Sequence, residues 1–147
     1  MSPTDNRFEP LNPEFRTVIR EQFERQGLLR NFDAKLLDIE PGSVTIAAPT
    51  GPEVSQQDGF PHAGFGWSLG DSAAGFAALS LMAAGERVLT VEMKTNLLAP
   101  AVGQRVIARG RVLRFGRSLC VVQSDLFSEA PDGEKHVAVM LGTMIRS

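Results

Sequence analysis

The chain has 147 residues, 43% hydrophobic and 22% charged, a balance that suits one soluble domain with a sizeable core. Its net charge of −2 argues against nucleic acid as the main partner. A single cysteine, Cys120, excludes an internal disulfide framework and cannot by itself hold a zinc ion. Neither a metal nor a cofactor is expected.

Residues 1–12 read as a polar tail without the basic and apolar stretches of a signal peptide, and residues 13–147 as one domain. A cytoplasmic protein is expected. Asn12-Pro13-Glu14 has the residue types of a helix start, and Phe15, Val18, Ile19 and Phe23 place one apolar face on a helix over 13–26. Gly27 is a stop signal. Segments 34–40 and 43–48, joined by Pro41-Gly42, predict an antiparallel hairpin, with Val44, Ile46 and Ala48 on its buried side. A loop over 50–61 follows.

His62–Gly85 is the stretch around which the chain is organised. Its 24 residues carry one formal charge, Asp71, among alanines, glycines and large apolar side chains. A helix that apolar is wrapped by protein or lies in a bilayer. Asp71 near its middle, frequent Gly and Ser, and soluble-looking flanks argue against the bilayer, despite Gly66-x-x-x-Gly70. Gly64, Gly66, Gly70 and Gly75 would weaken a helix unless another backbone or a ligand approaches closely. After Gly85 the pattern turns to strands over 88–96, 104–115, 118–127 and 135–145, with turns at Gly116-Arg117 and Pro131-Asp132-Gly133. In the first of these, Leu89, Val91 and Met93 alternate with Thr90, Glu92 and Lys94. This order predicts an α+β fold, one antiparallel sheet curled around one long helix, with an edge suited to pairing in an oligomer.

The element order, with His62-Ala63-Gly64 and Asp71 nine positions after His62, resembles the PaaI-like hotdog-fold acyl-CoA thioesterases. That family carries His-Gly-Gly followed by Asp at this spacing, an amide side chain six positions before the His, and a strand that starts with Ser or Thr and ends at a Pro. Here Gln56 holds the amide position, Ala63 replaces the middle Gly, and Thr90 through Pro100 matches the strand. The resemblance covers about residues 30–146. It implies an acyl-CoA substrate and a homodimer or dimer-of-dimers tetramer.

Thioester hydrolysis needs a polarised carbonyl and a base or nucleophile. The free N–H groups of Ala63 and Gly64 at the helix start would polarise the carbonyl, and Asp71 would act as base or attack directly. At about 1.5 Å per residue these groups lie on the order of 10–12 Å apart, so a carbonyl can meet both only across two antiparallel helices of a dimer. Gln56 and His62 then flank the amides, and Thr90 lies near Asp71 of the opposite subunit. Plainer roles exist for each: Asp71 as N-cap of a helix starting at Ser72, His62 as a fixing residue at the helix entry, Gln56 as solvated loop, Thr90 as an ordinary strand residue. From Met93 to Ser124 the chain has Lys94, Arg105, Arg109, Arg111, Arg114 and Arg117 and no acid. The arginines at 109, 111, 114 and 117 could receive coenzyme A phosphates, or the stripe is a solvated sheet face. Cys120 reads as a buried, inert thiol. The alternatives to a hydrolase are an acyl-thioester hydratase or dehydratase of the same fold, and a non-catalytic acyl-CoA-binding protein.

Overall fold

The computed structural model describes residues 7–147. Its elements are α1 (Phe15–Arg25), α2 (Gly27–Asn31), β1 (Lys35–Glu40), β2 (Ser43–Pro49), α3 (Ala63–Leu79), β3 (Val88–Leu97), β4 (Arg105–Phe115), β5 (Leu119–Ala130) and β6 (Gly133–Arg146). The strands form one fully antiparallel sheet in the order β1-β2-β4-β5-β6-β3, curled around α3 as the α+β hotdog arrangement requires. Period-two alternation explains the inner face. Val44, Ile46, Val106, Ala108, Val112, Val122, Met140 and Met144 all point at the helix and are buried. Their partners on α3 include Leu69, Ala73, Ala74, Phe76 and Ala77.

Two glycines set how closely helix and sheet approach. A side chain at Gly110 on β4 would run into the Ala73–Ala74 backbone of α3, and one at Gly70 would strike Met140. The Ser124 hydroxyl donates 2.6 Å to the Gly70 carbonyl, which satisfies a buried polar group at this tight contact. The turn between β1 and β2 uses Gly42 at φ 77°, a conformation that favours glycine.

Several expectations need correction. Helix α1 does stop beside Gly27, at Arg25, but a second short helix follows directly. The backbone is extended only at Gln26, and Gly27 opens the short α2. Of the supposed tail, residues 1–6 lie outside the described residues. Phe8, in contrast, packs on the core beneath Gly42, and Arg7 donates to the Leu113 carbonyl at 3.0 Å. Asp71 is the ninth residue of α3, not the N-cap of a helix starting at Ser72, because the small residues before it continue the helix against the sheet. Nor is α3 enclosed on all sides: His62, Ala63, Gly64 and Trp67 are exposed along one stripe, with Asp71 half-buried further along it. The alternation in β3 is interrupted by a register shift between Thr90 and Glu92. Thr90 therefore faces inward, while Leu89 and Val91 are 58% and 56% exposed. No helix among the described residues is long and apolar enough to cross a membrane.

Candidate active site

His62 caps α3. Its Nδ1 accepts the Gly64 N–H at 2.8 Å, so the imidazole consumes one of the amides that the helix start offers. The Ala63 N–H has no acceptor among the described residues and keeps the positive end of the helix open. The loop before the helix is folded on Gln56. Its Oε1 accepts the N–H groups of Asp58 at 2.5 Å and Phe60 at 3.3 Å. Two backbone donors need an oxygen, which fixes the orientation of the amide and leaves its NH2 free to donate. Gln56, His62 and Ala63 share a cleft of about 470 Å³ with Phe60, Phe65, Trp67, Leu98, Val137 and other apolar side chains.

Asp71 opens into a different, smaller cleft of about 180 Å³, beside Gln26, Ser72 and Thr90. The Thr90 hydroxyl donates to Asp71 Oδ1 at 2.7 Å and lies 3.3 Å from Met144 Sδ. Burial raises the Asp71 carboxyl above its ordinary 3.8, and the Thr90 bond offsets part of that rise. Thr90 thus meets Asp71 of its own chain. The reason is topological: β3 runs back along α3, which puts Thr90 abreast of Asp71 and Met93 abreast of Trp67, whose Nε1 is 3.5 Å from the Met93 carbonyl. Within one chain the Ala63 amide and the Asp71 carboxylate remain about 12 Å apart along the helix.

The basic stripe is less free than its sequence suggests. Arg105 pairs with Glu129, and Arg109 makes two 2.8 Å bonds to Glu134 while lying 4.7 Å over the Phe127 ring. Arg109 holds the Glu134 carboxyl below its ordinary range. Arg111 is 4.0 Å from Asp125. These acids come from β5 and β6, beyond the acid-free window, and are brought in by cross-strand pairing. Arg114 and Arg117 are exposed and have no ion pair among the described residues. The Cys120 thiol is buried and pushed up to about 11 by that burial, against a smaller opposing effect of Arg146. Gln26, Thr95 and Trp67 line the clefts without having been singled out for them. Gln26 sat at the end of a helix of ordinary pattern, and Thr95, though on the same side of β3 as Met93, carried no chemistry of its own to draw attention.

A sheet curled around a capped central helix, with an open amide and a half-buried carboxylate on that helix, is compatible with the hotdog thioesterases that the sequence resembles. The comparisons agree. The model of the thioesterase superfamily matches residues 59–134. A Saccharolobus solfataricus protein that carries an esterase name is 32% identical over 118 residues, 80% of this chain and 82% of its own. A thioesterase family protein from Silicibacter pomeroyi superposes with a TM-score of 0.87 at 36% identity, over 90% of this chain and 97% of that one. The PaaI protein of the Escherichia coli phenylacetic acid degradation operon shares the fold, with a TM-score of 0.81 at 17% identity over 93% and 96% of the two chains. The chain belongs to the thioesterase superfamily.

Proposed function

We propose that the protein hydrolyses an acyl-CoA thioester at two equivalent sites, each shared by two copies of the chain. One observation carries this reading: the open Ala63 amide and the Asp71 carboxylate lie on the same uncovered stripe of α3, too far apart to serve one carbonyl within a chain. Two α3 helices laid antiparallel about a twofold axis bring each amide to the partner's carboxylate. The strand order supports this arrangement. The ten-residue β3, paired on one side with β6, has its outer edge unpaired and presents Leu89, Val91 and Leu97 to solvent, an edge that a second copy would cover.

In this arrangement the thioester oxygen accepts from the Ala63 N–H and the Gln56 NH2, while the cap at His62 holds the helix start in place. Asp71 from the other copy takes a proton from water as the water oxygen bonds to the carbonyl carbon. The tetrahedral intermediate then collapses, the C–S bond breaks, and the proton on Asp71 passes to the departing sulfur. Thr90 orients Asp71 and keeps it ionised. Arg114 and Arg117 remain available for coenzyme A phosphates, whereas Arg109 and Arg111 are occupied by carboxylates. Within this account the protein acts in the cytoplasm, as a dimer or a pair of dimers. A hydratase would need a base to take the α-proton; with Nδ1 accepting the Gly64 N–H, the neutral His62 ring carries its own proton on Nε2 and has no free nitrogen lone pair to take another.

The test is release of free thiol from short, medium, long and aromatic acyl-CoAs by the wild type and by Asp71→Asn. Turnover that falls by about 10²–10⁴-fold in the variant, with acyl-CoA binding retained, is the expected result. Equal turnover in the two proteins would remove Asp71 from the chemistry. Binding without thiol release by either protein would favour a non-catalytic carrier.

A further inference from the structure

Packing explains only some of the glycines within α3. A side chain at Gly70 would strike Met140, and one at Gly64 would press on the His62 ring that caps the helix. Gly66 and Gly75 are less constrained, and each lines a cleft: Gly75 the one at Asp71, Gly66 the one at the Ala63 amide. A Cβ at Gly66 would meet a single atom within 4 Å, Leu126 Cδ2 at 3.0 Å, the end of a flexible side chain rather than backbone. Glycine inside a helix is destabilising relative to alanine. The fold thus bears a cost at Gly66 that no backbone contact requires.

The place of Gly66 gives that cost a use. It follows Ala63 by three residues, about 4.5 Å along the helix and on nearly the same face. Its missing side chain would point to Leu126 on β5, towards the sheet and away from the exposed Trp67. Gly66 and Leu126 both line the cleft of about 470 Å³, whose buried walls include Phe65, Val106, Val137 and Ala138. Its polar side chains Gln56 and His62 stand at the helix entrance, and the Thr95 hydroxyl is buried out of reach. An apolar group of the substrate fits this space, whereas the amides of a pantetheine arm would lose their hydration there. A carbonyl held at the Ala63 amide therefore sends its acyl group across the bare backbone of Gly66. We propose that Gly66 sets the depth of this cleft and thereby selects for an apolar acyl group longer than acetyl. This rests on the thioesterase reading of the same cleft. Each methylene that leaves water for such a cleft favours the substrate about fourfold, and a side chain on Gly66 takes up that room.

The experiment measures kcat/KM by thiol release from acetyl-, butanoyl-, hexanoyl- and octanoyl-CoA, for wild type, Gly66→Ala and Gly66→Val. In parallel, binding of the corresponding non-hydrolysable thioether analogues is measured by calorimetry. The wild type should gain about fourfold per methylene from acetyl to hexanoyl. The hexanoyl-to-acetyl ratio of kcat/KM should fall about fourfold in Gly66→Ala and about 10- to 100-fold in Gly66→Val, as one or several methylenes are shut out. Gly66→Ala, the smaller change, keeps the comparison decisive if Gly66→Val does not fold. A wild type that prefers acetyl-CoA overturns the proposal while leaving hydrolysis intact. A loss shared equally by all chain lengths in both variants does the same, since that is what a packing role alone produces. If no thiol is released but the analogues bind with a length preference that Gly66→Ala reduces, hydrolysis falls and the assignment of the cleft stands. Failure of every analogue to bind overturns both.

Discussion

Replacing Gly110 with alanine sets a methyl group against the carbonyl of Ala73 and the nitrogen of Ala74. Both are backbone atoms in the middle of α3, so no rotamer change can relieve the contact, and helix or strand must move. Overpacking of a core costs about 1–3 kcal/mol, and a collision with backbone belongs at the upper end, about 3 kcal/mol. For a chain of this size that lowers the melting temperature by roughly 6–12 °C, at about 2–4 °C per kcal/mol. Gly75→Ala is the matched control on the same helix. Its added methyl finds only Met144 Cε, 3.9 Å away. The gain in helix propensity, about 1 kcal/mol, should raise the melting temperature by roughly 2–4 °C. Thermal unfolding followed by circular dichroism at one fixed protein concentration measures both variants. The ordering is the test: Gly110→Ala melting at or above Gly75→Ala would refute the claim that this glycine is set by the approach of α3.

Asp71→Asn should stabilise the fold at neutral pH. Burial raises the native carboxyl above 3.8, so the native state bears a cost when the group is ionised and loses that cost on acidification. The advantage of the variant in thermal melts should therefore shrink as the pH falls through the raised native value towards 3.8; equal melting at pH 7 would contradict the burial argument. Thr90→Val removes the bond that holds Asp71 down, so the acidic limb of the kcat/KM profile should move to higher pH. Loss of a charged hydrogen bond, about 1.5–3 kcal/mol, corresponds to roughly 10- to 100-fold in rate; Thr90→Ser should restore most of it, and an unmoved limb would deny Thr90 its role. Cys120, with its thiol pushed up to about 11, should resist thiol reagents in the native protein and react only on denaturation. Fast labelling of the native state would show that β5 is not packed as described.

The architecture was legible because its signals are periodic and strong. The long apolar run and the alternating strands after it specify a buried helix and an antiparallel sheet, and Pro41-Gly42 marks the first hairpin turn; a meander of all four later strands was expected, but only β4, β5 and β6 form one, because β3 lies at the far edge beside β6. The pairing of Asp71 with an inward Thr90 was legible only as proximity. Which chain supplies the threonine depends on the direction in which β3 passes α3, and that is a tertiary property. The register shift after Thr90 left no mark in a segment that alternates cleanly, so the outward Leu89 and Val91 and the inward Thr90 were hidden. The acid-free stripe misled for a similar reason. Opposite charges on neighbouring strands are distant in sequence, and Glu129, Glu134 and Asp125 meet the arginines only once the sheet has formed. His62 illustrates a third limit. Its spacing from Asp71 signalled the site, but only geometry shows the imidazole spending its nitrogen on the Gly64 amide.

Subunit mixing tests most directly whether one catalytic site is built from two chains. Ala63→Pro removes the open amide while fitting the first position of a helix, where proline is favoured and the extended backbone of His62 precedes it. Asp71→Asn removes the carboxylate. Each variant alone should be nearly inactive in thiol release. If the two are unfolded together and refolded at equal concentrations, half of the dimers are mixed, and each mixed dimer holds one site with both groups intact. Activity should then return to about a quarter of the wild type. Refolded mixtures no more active than the separate variants would show that each site lies within a single chain, and the shared-site mechanism would be wrong.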